Sequence, residues 1–290
     1  MNVAVIGSGI MGSGIAQLAA MNGYRVTLVD VGEAELTRAR HAIDVSLTRF
    51  VKSGRLTEAD VRSTHDRLEL TTDLVSAVGE ATIVVEAVPE ILEVKQQVLA
   101  EVVDAAPRTA LLGTNTSQLS ITTIGQHLGD EAKRLIGTHF FNPPVIMRLV
   151  ELVRGLTTSD NTVERARSFA SSLGKDVVVC QKDSPGFITT RAYAAMRVEC
   201  LRILEEGVAT AEDIDKAMKL AYNLPMGPLE LNDFNGLDTG YHVLRSLDAA
   251  FGDRFRPTVA LVNMIAAGRL GRKTSEGWFR YDADGNRISE

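Results

Sequence analysis

The chain has 290 residues, 45% of them hydrophobic, which is enough for two domains with separate cores. A formal net charge of −6 and a pI near 5.5 count against a nucleic-acid binder. Two cysteines, Cys180 and Cys200, without metal-ligand spacing, no apolar run near the roughly twenty residues that span a bilayer, and a first strand starting at residue 2 predict a reduced cytoplasmic protein without metal site, disulfide, membrane span or leader.

The β-branched run Val3-Ala4-Val5-Ile6 predicts a first strand that stops at Gly7. Gly7, Gly9 and Gly12 follow with the spacing G-x-G-x-x-G, enclosing Ile10 and Met11. The first glycine permits the tight turn, the second lets a pyrophosphate lie against bare backbone, and the third lets helix and strand pack closely. A helix from Met11 to Asn22 would turn its unbonded N–H groups and positive dipole end toward the phosphates, with Gly23 as its stop. A second strand, Arg25 to Val29, ends on Asp30, eighteen residues past Gly12. A carboxylate there suits the 2′- and 3′-hydroxyls of an adenosine ribose and repels a 2′-phosphate, so the expected cofactor is NAD rather than NADP. A glycine turn without a ligand is the alternative, and the complete strand, loop, helix, strand and acid unit argues against it.

A long helix from Glu33 to Ser53 carries Leu36, Ala39, Ile43, Leu47 and Phe50 at three- and four-residue steps. Its polar side holds Arg38, Arg40, Arg49 and Lys52, with Arg55 just beyond. Two readings fit: a solvated helix face, or a cradle for a phosphate-bearing substrate tail. A short helix opening at Thr57 and a strand over Leu68-Glu-Leu70 come next. Thr82 to Val88 is apolar without alternation, as in a buried parallel strand, and Glu90 and Lys95 open the helix after it. Thr109 to Thr114 is another strand, running into Asn115-Thr-Ser117.

The segment Ile136 to Leu152 holds the candidate chemistry. Two apolar runs flank Asn142-Pro143-Pro144, where the prolines end ladder bonding and turn the chain. With the reversal centred on Val145, His139 and Glu151 each lie six residues away and become cross-strand partners. Directly opposed Cβ atoms sit about 5 Å apart, within reach of a carboxylate–imidazole bond. The pair reads either as a general base with its orienting acid or as a structural histidine capping the loop.

A helix from about Asn161 to Leu173 and a strand from Asp176 to Gln181 complete the alternation. After Lys182-Asp-Ser-Pro-Gly-Phe187 the strand-like runs end. Helices are expected from Phe187 to Glu206, from Thr210, after Gly236, and from Thr258 to Ala267. The predicted fold is an α/β Rossmann-type dinucleotide-binding domain, residues 1–183, followed by an all-helical C-terminal domain, residues 184–290.

The succession GSGIMG, VEAVPE, NTSQLSIT, HFFNPP, KDSPGFI, PMGPLEL, GLD and GRKTSEGW resembles the L-3-hydroxyacyl-CoA dehydrogenases, especially the short bacterial 3-hydroxybutyryl-CoA type, from residue 1 to about 282. The resemblance implies NAD-dependent, reversible oxidation of the 3-hydroxyl of an acyl-CoA, in β-oxidation or butanoate metabolism, by a homodimer joined through the helical domains. It also implies roles. His139 would be the base, Glu151 its partner and Ser117 the active-site serine. Nicotinamide-side contacts would fall on Glu90, Lys95, Ser117, Asn142 and Lys273, and CoA contacts on Ser46 and Lys52 of the long helix. Two departures bear on the substrate. Thr190 stands where the family usually has Asn in PGFIxN, and the loop reads Asn-Pro-Pro rather than Asn-Pro-x-Pro. The rivals are a dehydrogenase of another 3-hydroxy acid, free or carried on acyl-carrier protein, and a non-catalytic NAD-binding protein.

Overall fold

The computed structural model describes residues 1–288, and the chain divides into two compact units, Met1–Ser184 and Pro185–Glu290. In the first, strands β1 (Asn2–Ile6), β2 (Arg25–Val29), β3 (Leu68–Thr71), β4 (Ile83–Glu86), β5 (Leu111–Thr114), β6 (Leu135–Phe140), β7 (Leu149–Val153) and β8 (Asp176–Cys180) form one sheet in the order β3-β2-β1-β4-β5-β6-β7-β8. The run from β3 to β6 is parallel; β7 is antiparallel to β6, and β8 is parallel to β7. Helices α1 (Ile10–Met21), α2 (Glu33–Lys52), α3 (Glu58–His65), α4 (Leu74–Val78), α5 (Leu92–Ala105), α6 (Ile121–Ile124) and α7 (Asp160–Ser172) connect the strands.

The element boundaries have local causes. Strand β4 lies between β1 and β5 and is buried at all four positions, as in a parallel sheet covered on both faces. Helix α2 buries Leu36, Ala39, Ile43 and Leu47, the stripe that its periodicity marks. Helix α3 opens on a capping box, in which the Thr57 hydroxyl and Asp60 satisfy each other's backbone amides. Strand order reverses at β1: β2 and β3 lie on one side of it and β4 to β6 on the other. Such a switch point leaves a crevice beyond the carboxyl ends of the parallel strands.

The second unit packs α8 (Thr189–Glu205), α9 (Ala211–Tyr222), α10 (Pro228–Asn235), α11 (Leu237–Phe251) and α12 (Val259–Ala266) around Val198, Leu201, Leu229, Leu237, Leu244 and Leu261. It is helical as expected, with two additions. Helix α10 starts on Pro228, a residue suited to a first turn, and single antiparallel bridges tie Gly271 to Glu276, Glu276 to Arg280 and Tyr281 to Arg287. These bridges lack the alternating run that marks a strand in a sequence. Among the described residues no helix is long and apolar enough to cross a membrane.

Candidate active site

The glycine loop lies at the end of β1. Gly7 has φ +95°, and a Cβ there would lie 2.6 Å from the Ala87 carbonyl oxygen, while a Cβ on Gly12 would lie 1.7 Å from the Gly7 oxygen. Both positions are closed to any other residue. A Cβ on Gly9 would meet nothing within 4 Å, so this is the open face of the loop, where backbone is presented without cover. Helix α1 begins at the next residue with no side-chain cap on its first amides. Open glycine backbone and an uncapped helix N-terminus together fit a pyrophosphate. Asp30, just past β2, accepts from the Ser8 amide at 2.6 Å and the Ser8 hydroxyl at 2.7 Å, so the acid is already tied to the loop. Ile10 is exposed and Met11 half-buried at the same helix start.

Next along this edge come the ends of β4 and β5. Glu90 Oε1 accepts from the Thr116 hydroxyl at 2.6 Å and the Ser117 amide at 2.9 Å, so it shapes the loop on which Ser117 is exposed. Lys95 has no exposed surface; its Nζ donates to Glu86 Oε1 at 2.7 Å and lies 3.4 Å from Glu90 Oε2. The family resemblance implies a place near the nicotinamide, and the structure buries it beneath Glu90. Helix α5 starts at Leu92, which turns Lys95 inward at the end of its first turn.

Strands β6 and β7 supply the titratable pair. His139 and Glu151 are directly opposed in the antiparallel ladder, and His139 Nδ1 lies 2.8 Å from Glu151 Oε2. Glu151 has no exposed surface and His139 is 6% exposed. With Nδ1–H donated to the carboxylate, Nε2 becomes the basic nitrogen, and a positive ring would be stabilised by an anion that water does not screen. The imidazole is flanked by Phe141 at 4.4 Å between centroids. The Phe140 amide donates to Asn115 Oδ1 at 2.9 Å, which locks the end of β6 to the loop that carries Ser117. Asn142 is exposed just beyond, in the turn between the two strands.

Gly7 to Gly12, Asp30, Glu90, Ser117, His139 and Asn142 therefore share one edge of the first unit. Ser46 and Lys52 do not share it: they lie roughly 20 and 28 Å along α2 from its start beside Asp30, Ser46 half-buried and Lys52 exposed. Thr190 and Lys273 belong to the second unit. Thr190 is half-buried in the first turn of α8, and Lys273 donates to Asp238 at 2.6 and 2.7 Å, which holds that carboxyl below its usual range. Sequence reading gave no role to Glu86, Asn115 or Lys175, all buried polar residues with long-range partners.

Comparison with known proteins settles the family. Residues 2–184 match the 3-hydroxyacyl-CoA dehydrogenase NAD binding domain, and residues 186–281 match the 3-hydroxyacyl-CoA dehydrogenase C-terminal domain. The chain belongs to the 3-hydroxyacyl-CoA dehydrogenase family. It is similar to the crystal structure of (S)-3-hydroxybutyryl-CoA dehydrogenase from Ralstonia eutropha, with a TM-score of 0.93 and 39% identity over 97% of this chain and 99% of that one. A probable 3-hydroxybutyryl-CoA dehydrogenase of Deinococcus radiodurans is 39% identical over 97% of this chain and all of its own length. A 3-hydroxyadipyl-CoA dehydrogenase of Escherichia coli is 41% identical over 97% of this chain and 59% of its own. This dehydrogenase is an NAD-dependent enzyme acting on 3-hydroxyacyl-CoA, and the glycine loop and Asp30 belong to its NAD-binding domain.

Proposed function

We propose that the enzyme interconverts a short (3S)-3-hydroxyacyl-CoA and the 3-oxoacyl-CoA, with 3-hydroxybutyryl-CoA and acetoacetyl-CoA as the preferred pair. The observation that carries the mechanism is the fully buried Glu151 carboxylate 2.8 Å from Nδ1 of His139. His139 removes the C3 hydroxyl proton through Nε2, and Glu151 stabilises the imidazolium that results. Ser117, exposed on its loop, donates to the C3 oxygen as it gains negative character. Bound at the glycine loop, NAD would supply the acceptor for the C3 hydride. In the reverse direction His139 returns the proton.

Gly7 to Gly12 would hold the pyrophosphate and Asp30 the ribose. Glu90 and Asn142 would face the nicotinamide end, with Lys95 acting from beneath Glu90. The family resemblance gives Lys273 a cofactor contact and Thr190 an acyl contact, and Ser46 and Lys52 would meet the CoA tail. We also propose a cytoplasmic homodimer joined through the helical units, with no nucleic-acid partner. Leu220 and Tyr222 of α9 and Val259 of α12 are exposed apolar positions suited to such burial.

The test follows NADH absorbance with acetoacetyl-CoA, 3-oxoadipyl-CoA and free acetoacetate, for the wild type and for His139→Gln. Acetoacetyl-CoA should give the highest kcat/KM, and His139→Gln should lower kcat by about 10²-fold or more while NADH still binds. Equal rates on free acetoacetate would remove the acyl-CoA reading, a preference for 3-oxoadipyl-CoA would move the substrate to a dicarboxylic chain, and a wild-type rate in His139→Gln would remove the base.

A further inference from the structure

The turn between β6 and β7 carries Asn142 and separates the strands of His139 and Glu151, and it is held from outside as well as from within. Its own closure rests on the Pro143 carbonyl, which accepts from the Ile146 and Met147 amides at 3.0 Å each. The carbonyls of Pro144 and Met147 instead converge on a side chain from elsewhere. Lys175, in the connection between α7 and β8, donates to them at 2.6 and 2.7 Å and is 8% exposed.

Among the described residues no carboxylate forms an ion pair with Lys175, and burial lowers its pKa. A buried ammonium held only by main-chain carbonyls bears a desolvation cost that no opposite charge offsets. An apolar side chain would fill the same space without that cost, but it could not hold two carbonyls at one point. Pro144 has a second contact, through its ring. Pro144 lies so close to Gly14 of α1 that a Cβ on Gly14 would be 2.9 Å from Pro144 Cδ. The turn is thus held by Lys175 and packed against the helix that opens at the phosphate loop.

We propose that Lys175 is a positioning residue for the dehydrogenase reaction: by gathering the Pro144 and Met147 carbonyls it sets Asn142, and through it the nicotinamide end of the site, relative to His139. The proposal rests on the reading of Asn142 given above. Lys175 acts through the loop and touches no reacting atom.

A cycle of Lys175→Met, Asn142→Ala and the double variant tests it. Lys175→Met keeps the stem and removes the donors; its kcat should fall about tenfold to a hundredfold, the scale of a misplacement near 1 Å, while KM for acetoacetyl-CoA moves by less than about threefold. Because the effect passes through Asn142, the double variant should be no slower than Asn142→Ala alone. Losses that multiply in the double variant would overturn the proposal, as would wild-type kcat in Lys175→Met accompanied only by a lower Tm. Wild-type kinetics in Asn142→Ala would remove the role of Asn142 itself and the proposal with it, an outcome that differs visibly from the other two. Should Lys175→Met fail to fold, Lys175→Arg keeps the donors but shifts them by the length of the guanidinium. Its smaller loss should likewise vanish in the Asn142→Ala background, and multiplication there would overturn the proposal.

Discussion

The two units bury charge in opposite ways. In the first, buried acids meet cations or a protonatable ring: Glu86 with Lys95 at 2.7 Å, and Glu151 with His139 at 2.8 Å. In the second, Asp215 and Asp233 are buried and neutral donors hold them. Asp215 accepts from the Leu229 and Glu230 amides at 2.8 Å each, at the start of α10. Asp233 accepts from the Trp278 and Phe279 amides at 2.9 Å and from the Tyr281 hydroxyl at 3.0 Å. Arg197, 4% exposed, follows the same rule and donates to the Gly240 carbonyl at 2.8 Å. Pairing like that of the first unit makes a proton or charge available at a chosen place. Capture by backbone, as in the second, ties distant segments together, and Asp233 joins α10 to the C-terminal bridges. Lys175 breaks the rule of its own unit, since it is held by carbonyls, and this exception marks it as a device for holding a loop.

The largest expected effect breaks a paired site. Lys95→Met should destabilise the first unit by about 3–5 kcal/mol, because it leaves the fully buried Glu86 carboxylate without its counter-charge, held only by the Thr114 hydroxyl and the Val88 amide. Adding Glu86→Gln should recover part of that loss, as replacing both charges of a pair does. Denaturant unfolding of the wild type, both single variants and the double measures it, and a double variant no more stable than Lys95→Met would mean that the pair is not a unit.

A smaller loss is expected where backbone holds the acid. Asp233→Ala should cost about 1–3 kcal/mol, since it leaves the Trp278 and Phe279 amides and the Tyr281 hydroxyl without their acceptor. No partner substitution can restore the two amide bonds, because those donors are main chain. A second-site charge change that restored stability would contradict the contrast between the units.

The smallest effect is a tilt with pH. Burial pushes the Asp233 carboxyl above its usual value, against the pull of its hydrogen bonds. The folded state then binds that proton more tightly than the unfolded chain, so stability falls as pH rises from the unfolded value near 3.8 through the raised folded one. Asp233→Asn cannot titrate. The lead of the wild type over Asp233→Asn should therefore be greatest in acid and shrink as pH rises. A lead that grows with pH would mean that the carboxylate is favoured as an anion, as in an ion pair.

What the sequence determined by itself was whatever short-range rules govern. The spacing of Gly7, Gly9 and Gly12, the stripe of α2 and the caps at Thr57, Thr210 and Thr258 each follow from a few adjacent residues. His139 opposite Glu151 belongs with them, because a reversal centred on Val145 sets the register by counting alone. Only the tertiary structure decided which buried group meets which partner. Lys95 turned inward to Glu86, Lys175 reached the Pro144 carbonyl 31 residues back, and Asp233 met Trp278 45 residues on. Helical and strand periods say which face is covered, not by what. A lone Lys or Asp reads the same in a solvated turn as in a core, until packing removes the water and main-chain groups take its place.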